Sequence, residues 1–113
     1  MGKWCKTPNP LPPGFNTSGQ LGDGTTTSSY LALVNVYGIT TASSIALGDY
    51  YSCAVQTDGT VKCWAENDEG QLGDGTTTDR TTPVSISGMM TASSIAVGDD
   101  HSCALLTDGK MTC

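Results

Sequence analysis

Positive charge is scarce in this chain. Five Lys and Arg stand against eleven Asp and Glu, a formal net charge of −6. Lys3, Lys6, Lys62, Arg80 and Lys110 are dispersed, whereas nucleic-acid binding draws on clustered Lys and Arg that release counterions from phosphates. The composition therefore argues against nucleic acid as a partner, and equally against an anionic membrane surface. Large apolar residues are also sparse. Phe15 is the only phenylalanine, and no apolar run approaches the roughly 18 residues of a membrane-spanning helix, so no membrane insertion is expected. No window repeats apolar residues at spacings of three and four, which removes the case for amphipathic helices. The opening MGKWCKTPNPLPPGF lacks the apolar core of a signal peptide. Met1 is then either a cytosolic start or the beginning of a piece whose natural N-terminus lies upstream.

What the chain does contain is glycine, threonine and short apolar runs of four to six residues closed by Gly, Asp or Asn, the texture of an all-β protein. It also contains itself twice. TASSIALGDYYSCAVQTDGTVKC, from Thr41, matches TASSIAVGDDHSCALLTDGKMTC, from Thr91, and GQLGDGTTT occurs at Gly19 and again at Gly70. The first match has an offset of 50 and the second of 51, so one residue slips between them, in a connecting segment where loops tolerate it. Three regions follow: an irregular Pro-rich lead-in over 1–13, a first repeat over 14–64 and a second over 65–113. Each repeat reads as four short strands. In the second they are expected at about Val84 to Ser87, Ser94 to Val97, Ser102 to Leu106 and Lys110 to Cys113. In the first they are expected at about Val34 to Tyr37, Ser44 to Leu47, Ser52 to Gln56 and Thr60 to Trp64. Four strands in about 50 residues is the pattern of a β-propeller blade.

The runs GDDHSCALLTDGKMTC and KCWAENDEGQLGDGTTTDRTTPVSI resemble the repeat of the regulator of chromosome condensation family. The resemblance covers about Gly14 to Cys113 and rests most on the G-x-N-x-x-G-Q-L-G motif. It implies a propeller, usually of seven blades. Some positions depart from the family pattern. Ala65 stands where the family has Gly, Tyr51 stands at the His position of the first repeat, and Pro13 replaces a Trp. Two repeats are fewer than the roughly three that stacked arrays need for stability. The expectation is a partial propeller of about two four-stranded antiparallel blades, completed by further repeats in cis or by self-association in trans.

The cysteines add a constraint of their own. Cys53 and Cys63 are ten residues apart, as are Cys103 and Cys113, and each pair brackets a TDG turn. A type I turn from Gln56 with Gly59 at positive φ pairs Gln56 with Thr60, and counting outward sets Cys53 opposite Cys63. The same count sets Cys103 opposite Cys113. Both pairs fall at non-hydrogen-bonded sites, where Cα atoms come close enough for a disulfide. The alternative is reduced cysteines packed as small apolar residues. Oxidised pairs imply an oxidising compartment, hence an extracellular, periplasmic or cell-envelope location.

Catalytic and ligand motifs fail by spacing. His101 is the only histidine, and its neighbours Ser102 and Cys103 lie on the same strand, where side chains alternate faces instead of converging. NDEGQLGDGTTT lacks the EF-hand order of carboxylates, no Lys follows the glycines as in a phosphate loop, and the C-x-x-C of zinc knuckles is missing. No enzyme, cofactor or metal is expected. Trp64 is expected to pack between blades. The leading functional expectation is a non-catalytic scaffold that binds another protein, with Thr25, Thr26, Thr27, Thr76, Thr77, Thr78, Asp79 and Arg80 as candidate contact residues on the repeated loop. The resemblance also implies two alternatives: nucleotide exchange on a small GTPase at chromatin, as in eukaryotic members, and inhibition of an enzyme, as in secreted bacterial propellers that inhibit β-lactamases.

Overall fold

A computed structural model of the protein describes residues 16–27, 36–86, 89, 91–98 and 101–113. The lead-in over 1–13 and the start of the first repeat lie outside the described residues. The secondary structure assigned to the described residues is all β. Strands β1 (Ala42–Leu47), β2 (Tyr51–Gln56), β3 (Val61–Ala65) and β4 (Arg80–Ser85) form one antiparallel sheet in that order. Strands β5 (Ala92–Val97), β6 (Ser102–Leu106) and β7 (Met111–Thr112) form a second antiparallel sheet.

Local chemistry fixes the hairpins. At the TDG turn, Gly59 takes φ 86° and its N–H reaches the Gln56 carbonyl at 3.0 Å, while Gln56 N–H donates to Thr60 O at 2.9 Å. The Asp58 carboxylate accepts from both Thr60 N–H (3.0 Å) and Thr60 Oγ1 (2.6 Å), closing the turn from outside. Gly109, at φ 87°, repeats the geometry, and Asp108 accepts from Lys110 N–H at 2.9 Å. The register expected from these turns is the one present. Cys53 faces Cys63, and the second sheet pairs Ala104 with Thr112. Each first strand carries a bulge at the second residue of its A-S-S run. The extra serine turns its hydroxyl across the ladder: Ser43 Oγ donates to Val55 O and Ser93 Oγ to Leu105 O, both at 3.2 Å.

The grouping of strands differs from the sequence reading. The fourth strand of the first sheet, β4, comes from the second sequence repeat, and the 64/65 division between repeats runs through β3. A blade is therefore out of phase with the repeat. The strand expected at Val84 to Ser87 begins four residues earlier, at Arg80, because Arg80 pairs with Ala65 and extends the ladder upstream. Pro83 is accommodated there because β4 is the edge strand, where a missing N–H breaks no ladder. Of the strand expected at Val34 to Tyr37, only the last two residues are described, and they lie outside any strand. Tyr37 sits in a turn and donates its N–H to Gly22 O at 2.7 Å. The strand expected at Lys110 to Cys113 shortens to Met111–Thr112.

The core gathers on the first sheet. All of β2 but its last residue is buried, together with Val61, Cys63, Trp64, Leu21 and Leu72. The second sheet is more open: β6 buries only Ala104 fully, and β7 is exposed. The difference follows from stacking. The first sheet lies between the first glycine loop and the second sheet, whose strand β5 packs on β1 and β2. Ala92 N–H crosses to Gly59 O at 3.0 Å, and the buried Tyr51 hydroxyl donates to His101 O and accepts from Ser102 Oγ. The second sheet has such a neighbour on one side only among the described residues.

Candidate functional site

The repeated GQLGDGTTT segment is organised from beneath by one asparagine per repeat. Asn67 is fully buried, and its side-chain amide donates to Thr76 O and Thr78 O, both at 3.0 Å, with Asp74 Oδ1 at 3.2 Å and Thr76 Oγ1 at 3.3 Å alongside. Its Oδ1 accepts from the buried Leu72 N–H at 3.0 Å. Asn16 makes the same threonine contacts one repeat earlier, to Thr25 O, Thr27 O and Thr25 Oγ1, and accepts from Leu21 N–H at 2.8 Å. From Asn67 to Gly73 the backbone makes two successive turns, Gly70 N–H to Asn67 O and Gly73 N–H to Gly70 O. Gly70 and Gly73 take φ of 74° and 70°, a region that favours glycine. The loop is thus a rigid bracket.

Its polar tip is tied in the same way. Asp74 accepts from Thr76 N–H (2.9 Å) and Thr76 Oγ1 (2.8 Å), and Arg80 Nε lies 3.1 Å from its other oxygen. Burial alone would raise the Asp74 pKa. The hydrogen bonds from Thr76, Arg80 and Asn67 outweigh it and bring the carboxyl down to about 2. Asp79 is also held, accepting from Asn67 N–H at 2.7 Å.

Of the candidate contact residues, Thr25, Thr26, Thr27, Thr76, Thr77, Thr78 and Asp79 are exposed, and Arg80 is half-buried against Asp74. The two loops meet along one strand. Gly24 N–H donates to Thr81 O at 2.9 Å, beside the point where the second loop enters β4 at Arg80. Gly19 fits there because it has no side chain, since a Cβ would lie 2.9 Å from Thr81 Cα.

The lone histidine has a packing role. Gly98 N–H donates to His101 O at 2.8 Å, and the His101 ring covers Gly98 so closely that a Cβ there would lie 2.8 Å from Cε1. Tyr51 stands over Gly48 in the same relation. A flat ring over a glycine is what both positions share, which is why Tyr replaces His between repeats. The cysteines come together at disulfide distance: Cys53 with Cys63 and Cys103 with Cys113, at Cα separations of 4.1 and 4.0 Å. Among the described residues no group of three His, Cys, Asp or Glu is placed to hold a metal, and no helix is long and apolar enough to cross a membrane.

Sequence reasoning used Asn16, Asn67 and Gln20 only as letters of the repeat motif and assigned them no role. An asparagine three residues before a glycine reads as an ordinary turn residue, and its burial shows only once the loop folds over it. Gln20 is buried as well. Its Oε1 accepts from Ser18 N–H, and its backbone carbonyl accepts from Trp64 Nε1 at 2.8 Å.

The regions matched by the family cover the second bracket and the first hairpin. The regulator of chromosome condensation (RCC1) repeat matches residues 58–105, and a second description of that repeat matches 42–71, so together they span more than half of the chain. The chain belongs to the RCC1 repeat family. The ultraviolet-B receptor UVR8 of Arabidopsis thaliana is 36% identical over 72 residues, covering 62% of this chain and 16% of that protein. Human WBSCR16 superposes with a TM-score of 0.75 at 20% identity, over 86% of this chain and 26% of its own. Prp20p of Saccharomyces cerevisiae, which binds Gsp1p and histones, superposes with a TM-score of 0.63 at 24% identity, over 85% of this chain and 26% of its own. A further structure of the yeast protein holds it bound to Kap60. The chain thus spans about a quarter or less of these relatives. Its two sheets are blades of a partial RCC1 propeller.

Proposed function

We propose that this RCC1-repeat chain is a non-catalytic scaffold that binds another protein through its paired threonine-rich loops. The observation that carries this reading is the contrast within each loop. A buried asparagine locks the backbone, while Thr26 and Thr77 stand exposed at the tip and take no part in the lock. A surface held rigid before contact loses little conformational entropy on binding. Related structures are of proteins that bind proteins, Gsp1p, histones and Kap60 among them. The two cysteine pairs at disulfide distance favour a secreted or envelope-associated setting.

Nucleotide exchange or chromatin association, after the yeast relative, is the second reading. The net charge of −6 and the dispersed basic residues weigh against direct contact with DNA. Inhibition of a secreted enzyme is a narrower form of the first reading. The test is a cross-linking pull-down from extracellular fluid and, in parallel, from nuclear extract, using the wild type and a Thr26→Arg/Thr77→Arg variant. A partner captured from extracellular fluid by the wild type and lost with the variant is the expected result. Capture from nuclear extract alone, or capture indifferent to the variant, overturns this reading.

A further inference from the structure

Asp-Gly occurs four times in the chain, at Asp23, Asp58, Asp74 and Asp108. This dipeptide is open to spontaneous isomerisation, because a glycine without Cβ lets its backbone nitrogen reach the preceding side-chain carboxyl. The fold holds all four carboxylates in one way. Each accepts from the N–H two residues on, from Thr25 at 3.0 Å, Thr60 at 3.0 Å, Thr76 at 2.9 Å and Lys110 at 2.9 Å.

The fourth site lacks what the other three share. At Asp23, Asp58 and Asp74 the threonine hydroxyl also donates to the same oxygen, at 2.8, 2.6 and 2.8 Å. Asp74 is held further by Arg80 Nε and Asn67 Nδ2. Lys110 has no hydroxyl to give, and its N–H is the one partner of the exposed Asp108 carboxylate among the described residues. The two hairpin turns make the comparison close. Gly59 N–H to Gln56 O and Gly109 N–H to Leu106 O are both 3.0 Å, with φ 86° and 87° at the glycines. The hydroxyl opposes reaction in two ways. It ties the carboxyl to the residue beyond the glycine, and it favours the ionised form, whereas the neutral acid is the form that can lose its hydroxyl as water. At Asp58 the Thr60 hydroxyl is the largest cause holding the carboxyl below its ordinary range.

The geometry points to Asp108 as the chain's site of spontaneous isoaspartate formation, with the threonine two residues after each other aspartate acting as a protecting clamp. The Gly109 nitrogen attacks Asp108 Cγ, and its proton leaves with the carboxyl hydroxyl as water, closing a succinimide ring. Water then adds at the Asp108 main-chain carbonyl carbon and breaks its bond to the Gly109 nitrogen. One water leaves and one returns, and nothing is oxidised or reduced. The main chain now runs through Cβ and Cγ of Asp108, in a turn where Leu106 N–H to Lys110 O at 2.8 Å sets β6 against β7. The freed α-carboxylate stands at an exposed tip, within reach of a methyltransferase that esterifies isoaspartyl carboxylates.

The test incubates the full oxidised chain at neutral pH for weeks, folded and in urea. Isoaspartate is mapped by peptide mass spectrometry and by enzymatic methylation with a labelled methyl donor. In the folded wild type Asp108 is expected to isomerise roughly fivefold faster than Asp58, the factor that one ordinary hydrogen bond represents. Lys110→Thr is expected to bring Asp108 down to the Asp58 rate. Thr60→Val keeps the N–H and the shape but removes the hydroxyl, and is expected to bring Asp58 up to the Asp108 rate. In urea the four sites are expected to converge. Equal rates at Asp58 and Asp108 in the folded chain overturn the inference, as does a Lys110→Thr variant that isomerises as fast as the wild type. A ranking unchanged in urea also overturns it, because the cause then lies in the local sequence and not in the clamp.

Discussion

Replacing Asn67 with alanine tests whether the loop bracket is held by hydrogen bonds or by filled space. The side chain is fully buried and accepts from Leu72 N–H, itself buried, while its amide serves the Thr76 and Thr78 carbonyls. Alanine leaves the Leu72 donor without a partner, at about 1–3 kcal/mol. The threonines are exposed, so water replaces part of what their carbonyls lose. A total loss of about 2–3 kcal/mol follows. With a urea m-value of about 2 kcal/mol/M, the unfolding midpoint falls by about 1–1.5 M. Hydrogen exchange should locate the damage, with the Leu72 amide losing protection first. Asn67→Asp is the decisive companion. It keeps shape, volume and the Leu72 acceptor, but sets an oxygen against two carbonyls and the Asp74 carboxylate, only 3.2 Å from the replaced nitrogen. If hydrogen bonding holds the loop, aspartate is at least as damaging as alanine at neutral pH. An aspartate variant as stable as the wild type would refute the reasoning.

Three further outcomes are expected. Alkylation of the unreduced protein should label Cys5 alone, and reduction should cost about 3 kcal/mol or less per hairpin in the chain-entropy account; labelling of all five cysteines would show reduced pairs. Asp74 titrates in the fold at about 2, below its ordinary 3.8, so its stabilisation is complete above 3.8 and is lost as pH falls toward about 2. Arg80→Gln removes one of the groups that lower that pKa. The stability gap between variant and wild type should therefore be present at pH 7 and narrow below 3.8, and urea melts showing a constant gap from pH 2 to 7 would contradict this. Ala65 sits at φ 90°, a region that costs a residue bearing a Cβ about 1–2 kcal/mol, more than the roughly 0.5–1 kcal/mol that glycine loses in flexibility. Ala65→Gly should then stabilise by about 0.5–1 kcal/mol, and thermal melts showing a loss would place the strain elsewhere.

Ala65 also marks how much of the molecule was legible beforehand. The resemblance puts glycine at that position, and the departure registers in the backbone as a positive φ on a residue that carries a Cβ. The TDG turns and the facing cysteines were legible because a tight turn counts register outward from itself, residue by residue. Asn67 was not, since nothing local distinguishes an asparagine that begins a turn from one that becomes buried under it.

The sequence by itself determined the repeat, the all-β class, the hairpin register and the family, because each rests on spacing along the chain. Only the tertiary structure decided that β4 completes the preceding blade, that Asn16 and Asn67 lock the loops, and that the indole of Trp64 packs on Gly22 and donates to Gln20 O. Those features join residues far apart in sequence, and such a partnership is settled by which surfaces stack when the blades assemble.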